Sequence, residues 1–454
     1  MSPSLQDFLD TYSSPLEALS SPVRPGPVFP YPQEHTNWRD EQRAWAQTAT
    51  LFNQSWHMND LYLSGPDAKT LLSETSVNGY ETFSGGRAKQ YLAVNEDGMV
   101  IGDSILFGLS DDLYAVVGAP ATMNWLMFQA EQKGYDAHLE LQLGRLFAGE
   151  GPVPKRLFRY ELEGPNAQKI LERAVGRSFD PIRFFRMGEF EVAGVPVQAL
   201  SHTMAAAPGA ENTGLEMFGP EEHREEFLQA ILTAGEEFGL VRGGSIAYGS
   251  TLAESGWIPL PVPAIYTGEG LRAYREWLPD PGFESRGVVL AGSYRPDDVE
   301  CYYRSPWDLG YGHMVKFDHD FIGRDALERM ADEPHGRKAW LVWDPDDAQR
   351  ITAGSELGRP EQYRPLDPYR MSALHHDEIH LGDRMVGTSH VHAFTVNVGW
   401  ISLGVVSESE VSEGDVVEIQ WGDHDGGASN PYLPDHVRTT IRATVRWSSP
   451  GPRS

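Results

Sequence analysis

The chain has 454 residues, more than one comfortable core, so two or three domains are expected. Its 37 Lys+Arg against 65 Asp+Glu give a net charge of −28, and only seven of the bases are lysine; such a field repels polyanions and makes nucleic acid and anionic membrane poor partners. Cys301 is the only cysteine, which excludes intrachain disulfides, thiolate clusters and a two-cysteine redox couple, and with no base beside it in sequence it reads as a small buried apolar residue.

Met1 to Ser14 carry acidic and polar groups instead of a basic stretch followed by an apolar run, and no segment approaches membrane-spanning length. Neither a signal peptide nor a span is therefore expected, and the cytoplasm is the expected compartment. A proline-rich arm (Pro22, Pro25, Pro27, Pro30, Pro32) must run extended, ending where Asn37 can cap a helix with Asp40 and Glu41 in its first turn. Next comes an internal repeat: Tyr62-Leu-Ser-Gly65-Pro66-Asp-Ala68-x-x-Leu71-Leu72 recurs as Tyr160-Glu-Leu-Glu-Gly164-Pro165-Asn-Ala167-x-x-Ile170-Leu171. Both copies read as strand, Gly-Pro turn and amphipathic helix. Between them, Val100–Leu109 and Leu113–Val117 are β-rich runs around Ser110-Asp111-Asp112, a hairpin signal.

Met204–Gly214 is loop-like, and Pro220–Gly239 has helical spacing at Phe227, Ile231 and Phe238 with an acidic, solvated face. Composition changes at Asp332-Glu-Pro-His-Gly336, and a strand at Ala339–Trp343 begins a new unit with a proline-rich loop (Gly358–Pro368) and strand-like runs at Val396–Val406 and Val416–Trp421. These suggest a small β-barrel. The division expected is 1–335 and 336–454, with Ser448–Ser454 fraying. His375-His376-Asp377-Glu378-Ile379-His380 matches no standard zinc spacing and reads as a solvated loop, so no metal is expected. Gly268-Glu-Gly270 lacks the strand of a dinucleotide fingerprint, and no phosphate-binding Lys-Ser/Thr loop is present, which disfavours NAD, FAD and ATP.

Two blocks carry a resemblance. Ala247-Tyr248-Gly-Ser-Thr-Leu-Ala-Glu254-Ser-Gly256-Trp257-Ile258 and Lys316-Phe-Asp-His-Asp-Phe321-Ile-Gly-Arg-Asp-Ala-Leu327 resemble the signatures of the glycine-cleavage T-protein (aminomethyltransferase) superfamily. Its first block runs Ala-Arg-x-Ser/Thr-Leu-x-x-Glu-Ala/Ser-Gly, and its second ends Phe-Ile-Gly-Arg/Lys-x-Ala-Leu. Tyr248 at the arginine position, the run Ile258-Pro-Leu-Pro-Val-Pro-Ala-Ile-Tyr-Thr-Gly268 and Ala273-Tyr-Arg-Glu-Trp277 resemble the tetrahydrofolate-dependent aryl O-demethylase branch, whose vanillate and syringate types act on methoxylated aromatic acids. The resemblance implies an α+β, three-part folate-binding fold with a small C-terminal β-barrel. It also implies transfer of a methyl group from a methoxylated aromatic compound to tetrahydrofolate. A sulfonium or methylamine donor and a non-catalytic folate-binding assembly factor are the alternatives; the latter carries a cysteine signature absent here. No oligomeric state is implied.

Glu216 sits in the apolar run Gly214-Leu215-Glu216-Met217-Phe218, where a lone carboxylate is costly unless it meets fixed donors; facing water at a strand edge is the plain reading, pterin recognition the one implied by resemblance. Asp103 is either a turn acid near the hairpin or, by the resemblance, the acid beside the reacting folate nitrogens. His57, in Trp56-His57-Met58-Asn59-Asp60, reads as a hydrogen-bonded core residue, but it stands at a functional histidine of the demethylase branch. An aryl ether leaves as a phenolate, so a donor on its oxygen lowers the barrier, a role for Tyr248 with His57 beside it; the plain alternative is a half-buried tyrosine. The resemblance puts Trp257 with the folate and Phe29, Tyr31, Ala119 and His57 with the substrate. Two departures stand out: Gly118-Ala119-Pro120 lacks the arginine that pairs with a substrate carboxylate in vanillate-type members, and Phe29 replaces a tyrosine for which Tyr31 would compensate.

Overall fold

The computed structural model describes residues 3–20, 32–55, 57–144, 153–202, 213–355, 358, 361–367 and 374–450. In chain order the strands before the barrel are β1 (Ala49–Asn53), β2 (Asn59–Ser64), β3 (Arg87–Val94), β4 (Val100–Gly108), β5 (Leu113–Gly118), β6 (His138–Gln142), β7 (Leu157–Gly164), β8 (Met187–Val192), β9 (Val195–Ser201), β10 (Thr213–Pro220), β11 (Leu240–Gly243) and β12 (Leu290–Ala291). One sheet has the order β3-β4-β5-β2-β6, a second β11-β1-β7-β10-β9-β8. The two halves are interlocked, because β1 precedes the first repeat yet pairs with β7 of the second, antiparallel, and with β11, parallel.

Each copy of the repeat forms as its sequence dictates. β2 leads into the helix Ala68–Glu74 and β7 into the helix Ala167–Val175. Gly65 and Gly164 turn the chain at φ 111° and 127°, and a Cβ on them would lie 2.8 Å from Asp136 O and 2.7 Å from Thr48 O, so only glycine fits both turns. Alternation then sorts the side chains of each strand. Phe158, Tyr160 and Leu162 of β7 pack outward on helices Ala167–Val175 and Arg224–Gly235, whereas Tyr62, Phe107 and Val117 of the first sheet meet Leu200 and Phe218 of the second. Helices thus cover the outside, and the sheets face each other.

The remaining strands are β13 (Gly336–Trp343), β14 (Leu374–His375), β15 (Asp377–Leu381), β16 (Arg384–Thr395), β17 (Gly399–Ser407), β18 (Val416–Trp421) and β19 (Thr439–Arg446). A closed barrel joins β13-β17-β16-β15-β18-β19, while β12 pairs with β14. Trp340, Leu403 and Val405 of the barrel share a core with Val77, Leu92, Val100 and Ile258, which docks it on the first sheet.

Four expectations need correction. Val396–Val406 is not one strand, since Val396–Val398 form the turn between β16 and β17, held by Thr395 Oγ1 accepting from Val398 N; the β-branched residues disguised it. The 375–380 segment is no solvated loop: it forms β14 and β15, with His375, His376 and Asp377 buried. Cys301 is exposed, because the 3-10 helix Val299–Tyr302 turns Val299 and Tyr302 inward and leaves Cys301 outside. Ser449 does not fray but donates to Glu254 O at 2.5 Å, while 451–454 lie outside the described residues. So do most of Met204–Gly214 and the arm residues Phe29 and Tyr31.

Gly256 ends the helix Ser245–Ser255 at φ 77°, and a Cβ there would lie 2.0 Å from the Trp340 ring. Gly256→Ala combines left-handed backbone strain with overpacking at the barrel contact, so unfolding free energy should drop by roughly 2–4 kcal/mol. Urea denaturation checks this. An unchanged midpoint would mean the barrel is not held against this helix end.

Candidate active site

Strand ends from both sheets converge on one buried region. β1 runs through Gln54 and Ser55 to His57; Asn59 Nδ2 donates to Gly118 O at 2.8 Å, and Ser104 lies opposite the same glycine, so the segments that carry His57, Asp103 and Ala119 lie side by side in the first sheet. Ala119 is half-buried there, at the N-cap of the helix Pro120–Lys133. The helix Ser245–Ser255 brings Tyr248, whose hydroxyl lies 2.9 Å from His57 Nε2. Phe52 packs edge-on against the Tyr248 ring, and Trp45 and Trp257 close the cluster. Both members of the pair are buried. Burial first, and the Lys155 charge second, push the His57 value down to about 3, so its ring stays neutral at ordinary pH.

Trp257 joins this cluster to Asp103. Its indole N–H donates to Asp103 Oδ2 at 2.9 Å, Tyr311 Oη donates to the same oxygen at 3.0 Å, and Gln90 Nε2 also donates to it. Asp103 is thus a mid-strand acid of β4, only 3% exposed, and not a turn residue. Its Oδ1 is buried and has no hydrogen-bond partner among the described residues.

Glu216 does not face water. Its Oε1 accepts from Arg159 Nη1 at 2.7 Å, and its Oε2 lies 2.9 Å from His202 Nε2. Arg159 Nε also donates to Asp60 Oδ1 at 3.1 Å, with the guanidinium held 4.8 Å and 4.9 Å from the ring centres of Phe107 and Phe218. Lys155 Nζ donates to Asp60 Oδ2 at 2.8 Å. Burial opposes charge on Glu216, but His202 and Arg159 outweigh it and hold the carboxyl below its usual range; burial likewise opposes the imidazolium of His202, and Glu161 and Glu216 raise it well above 6.5. Glu161, His202 and Glu216 bring ligand-type atoms within 4.8 Å of one another, a set able to hold a cation. A protonated His202 between the two carboxylates supplies that positive charge itself.

Sequence reasoning did not find Arg159, Asp60, His202 or Lys155. The signal for Arg159 was the charged alternation Arg159-x-Glu161-x-Glu163 along β7, which resembles a solvent face. All three are within 1% of full burial. An apolar groove of about 430 Å³ on the barrel, lined by Trp343, Phe394 and Trp400 among others, shares no residue with this region and has no titratable group in its lining.

The two interlocked α+β halves with a barrel docked on the first form a fold shared with a known protein. The chain belongs to the glycine-cleavage T-protein family, its residues 21–260 matching the GCVT N-terminal domain. It is 37% identical over 450 residues to the syringate O-demethylase of Sphingobium sp. (strain NBRC 103272 / SYK-6), covering 98% of this chain and 95% of that one. It is 29% identical over 411 residues to the sesamin methylene transferase of Sinomonas sp. (strain No.22), with 86% of each chain covered. The crystal structure of glycine cleavage system aminomethyltransferase T from Bartonella henselae superposes with a TM-score of 0.59 over 95% of this chain and 94% of that one, at 14% identity, a likeness of fold.

Burial lifts the Asp103 carboxyl from 3.8 to about 6, against the opposing hydrogen bonds from Trp257, Tyr311 and Gln90. The folded chain therefore keeps a proton that the unfolded chain has lost. This contribution is complete below about pH 4 and is lost as pH rises through about 6, in total about 3 kcal/mol. Asp103→Asn cannot titrate, so its urea midpoint should fall less between about pH 5 and about pH 8 than that of the native chain. An unaltered slope would assign the titration to another group.

Proposed function

We propose that the protein removes a methyl group from a methoxylated aromatic compound, of the methoxybenzoate or chlorinated methoxybenzoate type, and passes it to tetrahydrofolate, releasing a phenol and 5-methyltetrahydrofolate. The observation that carries this reading is the buried Tyr248–His57 pair in an aromatic surround, at the motif position where aminomethyltransferases hold an arginine. The relationship to a syringate O-demethylase supports it.

The residues present fit a reduced pterin, which offers ring N–H and amino donors. Asp103 Oδ1 is a buried acceptor without a hydrogen-bond partner among the described residues, beside the Trp257 indole. Glu216 keeps acceptor lone pairs beyond the two used by Arg159 and His202, and those two cations fix its orientation. When bound, tetrahydrofolate supplies N5 as the methyl acceptor. Tyr248 then acts on the other reactant: its hydroxyl donates to the ether oxygen as phenolate charge develops there. A neutral His57 suits this role, because its Nε2–H tautomer can donate to Tyr248 Oη and orient the hydroxyl toward the ether. Ala119, at the helix start beside Gly118, borders the substrate space. Positioning two bound reactants and stabilising the leaving oxygen account for the catalysis. A sulfonium or methylamine donor has no leaving oxygen for the Tyr248 hydroxyl to act on, so the buried Tyr248–His57 pair favours the aryl ether.

Purified protein supplied with tetrahydrofolate and a panel of methoxyarenes should yield methylated folate and a phenol, the latter visible as an ultraviolet shift. Folded protein that methylates folate from none of them would overturn the reading. Tyr248→Phe keeps the ring and removes the donor, so turnover should fall on the order of 10²-fold with tetrahydrofolate affinity nearly unchanged. Comparable turnover would take Tyr248 out of the mechanism.

A further inference from the structure

The cations at the centre of the site are already engaged. Arg159 is divided between Asp60 and Glu216, and Lys155 donates to Asp60 and to the carbonyls of Met58 and Gln142. Lys338 is different. It lies on β13, two residues before Trp340 and so on the same face, the one that docks against Val100 and Ile258. Its Nζ is 3.6 Å from the point where a Cβ on Gly310 would stand and 5.6 Å from the Trp340 ring centre. Gly310 precedes Tyr311, whose hydroxyl is bound to Asp103. The barrel thus extends a lysine toward the Asp103 end of the site.

Among the described residues Lys338 makes no hydrogen bond and no ion pair, and Asp103 is the charged group that acts on it. An ammonium largely withdrawn from water without a partner is costly, and a ligand anion would remove that cost. The need for one is evident elsewhere in the chain. With a net charge of −28, an anionic ligand requires a local cation, and Ala119 stands where an arginine was expected.

We propose that Lys338 receives a carboxylate of a bound ligand at this site, supplied by the aromatic acid or by the glutamyl end of the folate. A lysine presents a compact point charge in place of an arginine fork, so it holds a carboxylate without fixing its plane. Its position beside Asp103 also offsets the repulsion between that acid and an arriving anion. The inference rests on the function proposed above.

The test uses the full-length chain with Lys338→Met and Lys338→Arg, reading ligand binding by tryptophan fluorescence, for which Trp340 is a near reporter. Two pairs of probes differ in the carboxylate: vanillate against guaiacol, and tetrahydrofolate against 6-methyltetrahydropterin. Lys338→Met should weaken the carboxylated member of one pair by about tenfold or more, leave its uncharged counterpart within about twofold, and be largely rescued by Lys338→Arg. A loss confined to vanillate assigns the contact to the aromatic acid, and one confined to tetrahydrofolate assigns it to the glutamyl end. Equal losses for both members of each pair, or no loss for any probe, would overturn the proposal. Binding is read without turnover, so failure of demethylation would overturn the proposed function while this assay still measures carboxylate recognition.

Discussion

The guanidinium of Arg159 is the group on which the arrangement of the two halves depends. It lies on β7 of the second sheet, reaches across to Asp60 on β2 of the first, and returns to Glu216 on β10. A buried ion of this size costs several kcal/mol to desolvate, a cost that opposite charges in good geometry offset. Here two carboxylates and two aromatic faces supply that offset, with Nη2 left without a hydrogen-bond partner among the described residues, and any sliding of one sheet over the other would leave at least one buried charge alone. The cluster therefore fixes register between sheets whose apolar contact, from Tyr62 and Phe107 to Leu200 and Phe218, is non-directional by itself. It also holds Glu216 in one orientation.

A second set of buried polar contacts places Tyr248. Glu41 accepts from the backbone N–H groups of His35, Thr36 and Gly244, tying the end of the arm to the start of the Tyr248 helix. Gln42 donates to Ser250 Oγ and to Phe394 O and accepts from Val396 N, so the same short helix (Trp38–Gln47) grips both the Tyr248 helix and the barrel turn. Glu254, the signature glutamate, accepts from Trp45 and Asn397, and burial raises its carboxyl to about 7. The motif glutamate is thus a three-way joint, and the tyrosine six residues before it is rigid as a result.

What the sequence disclosed followed from local rules. The Gly-Pro repeats announced their turns because no other residue tolerates those backbone angles and contacts, and the 3.6-residue spacing of Phe227 and Ile231 announced a helix. The helix cap at Asn37 was legible for the same reason, although Glu41 serves the chain before it and the glycine at 244 as well as its own first turn. Tyr248, His57, Asp103 and Trp257 were named through the family's motifs, and His57 was expected beside Tyr248, but no local rule shows such contacts, which span 191 positions for Tyr248–His57 and 154 for Trp257–Asp103. Arg159 escaped for a different reason. A strand alternating apolar and charged residues normally has one face in water, and only the first sheet lying over that face of β7 reverses the meaning of the pattern. The buried His375 of β14 and His376 just after it were misread likewise, as polar composition was taken for exposure.

The interlocking of β1 has a consequence for how this chain is made. β1 leaves the ribosome before the whole first sheet, yet its neighbours β7 and β11 belong to the second, so its backbone donors and acceptors stay unpaired while the first sheet is already complete. During that interval an apolar strand with both edges open is available to any other extended segment. Vectorial synthesis thus exposes one specific aggregation-prone element for a defined stretch of translation, and the hazard ends only when β7 and then β11 emerge and close its two edges.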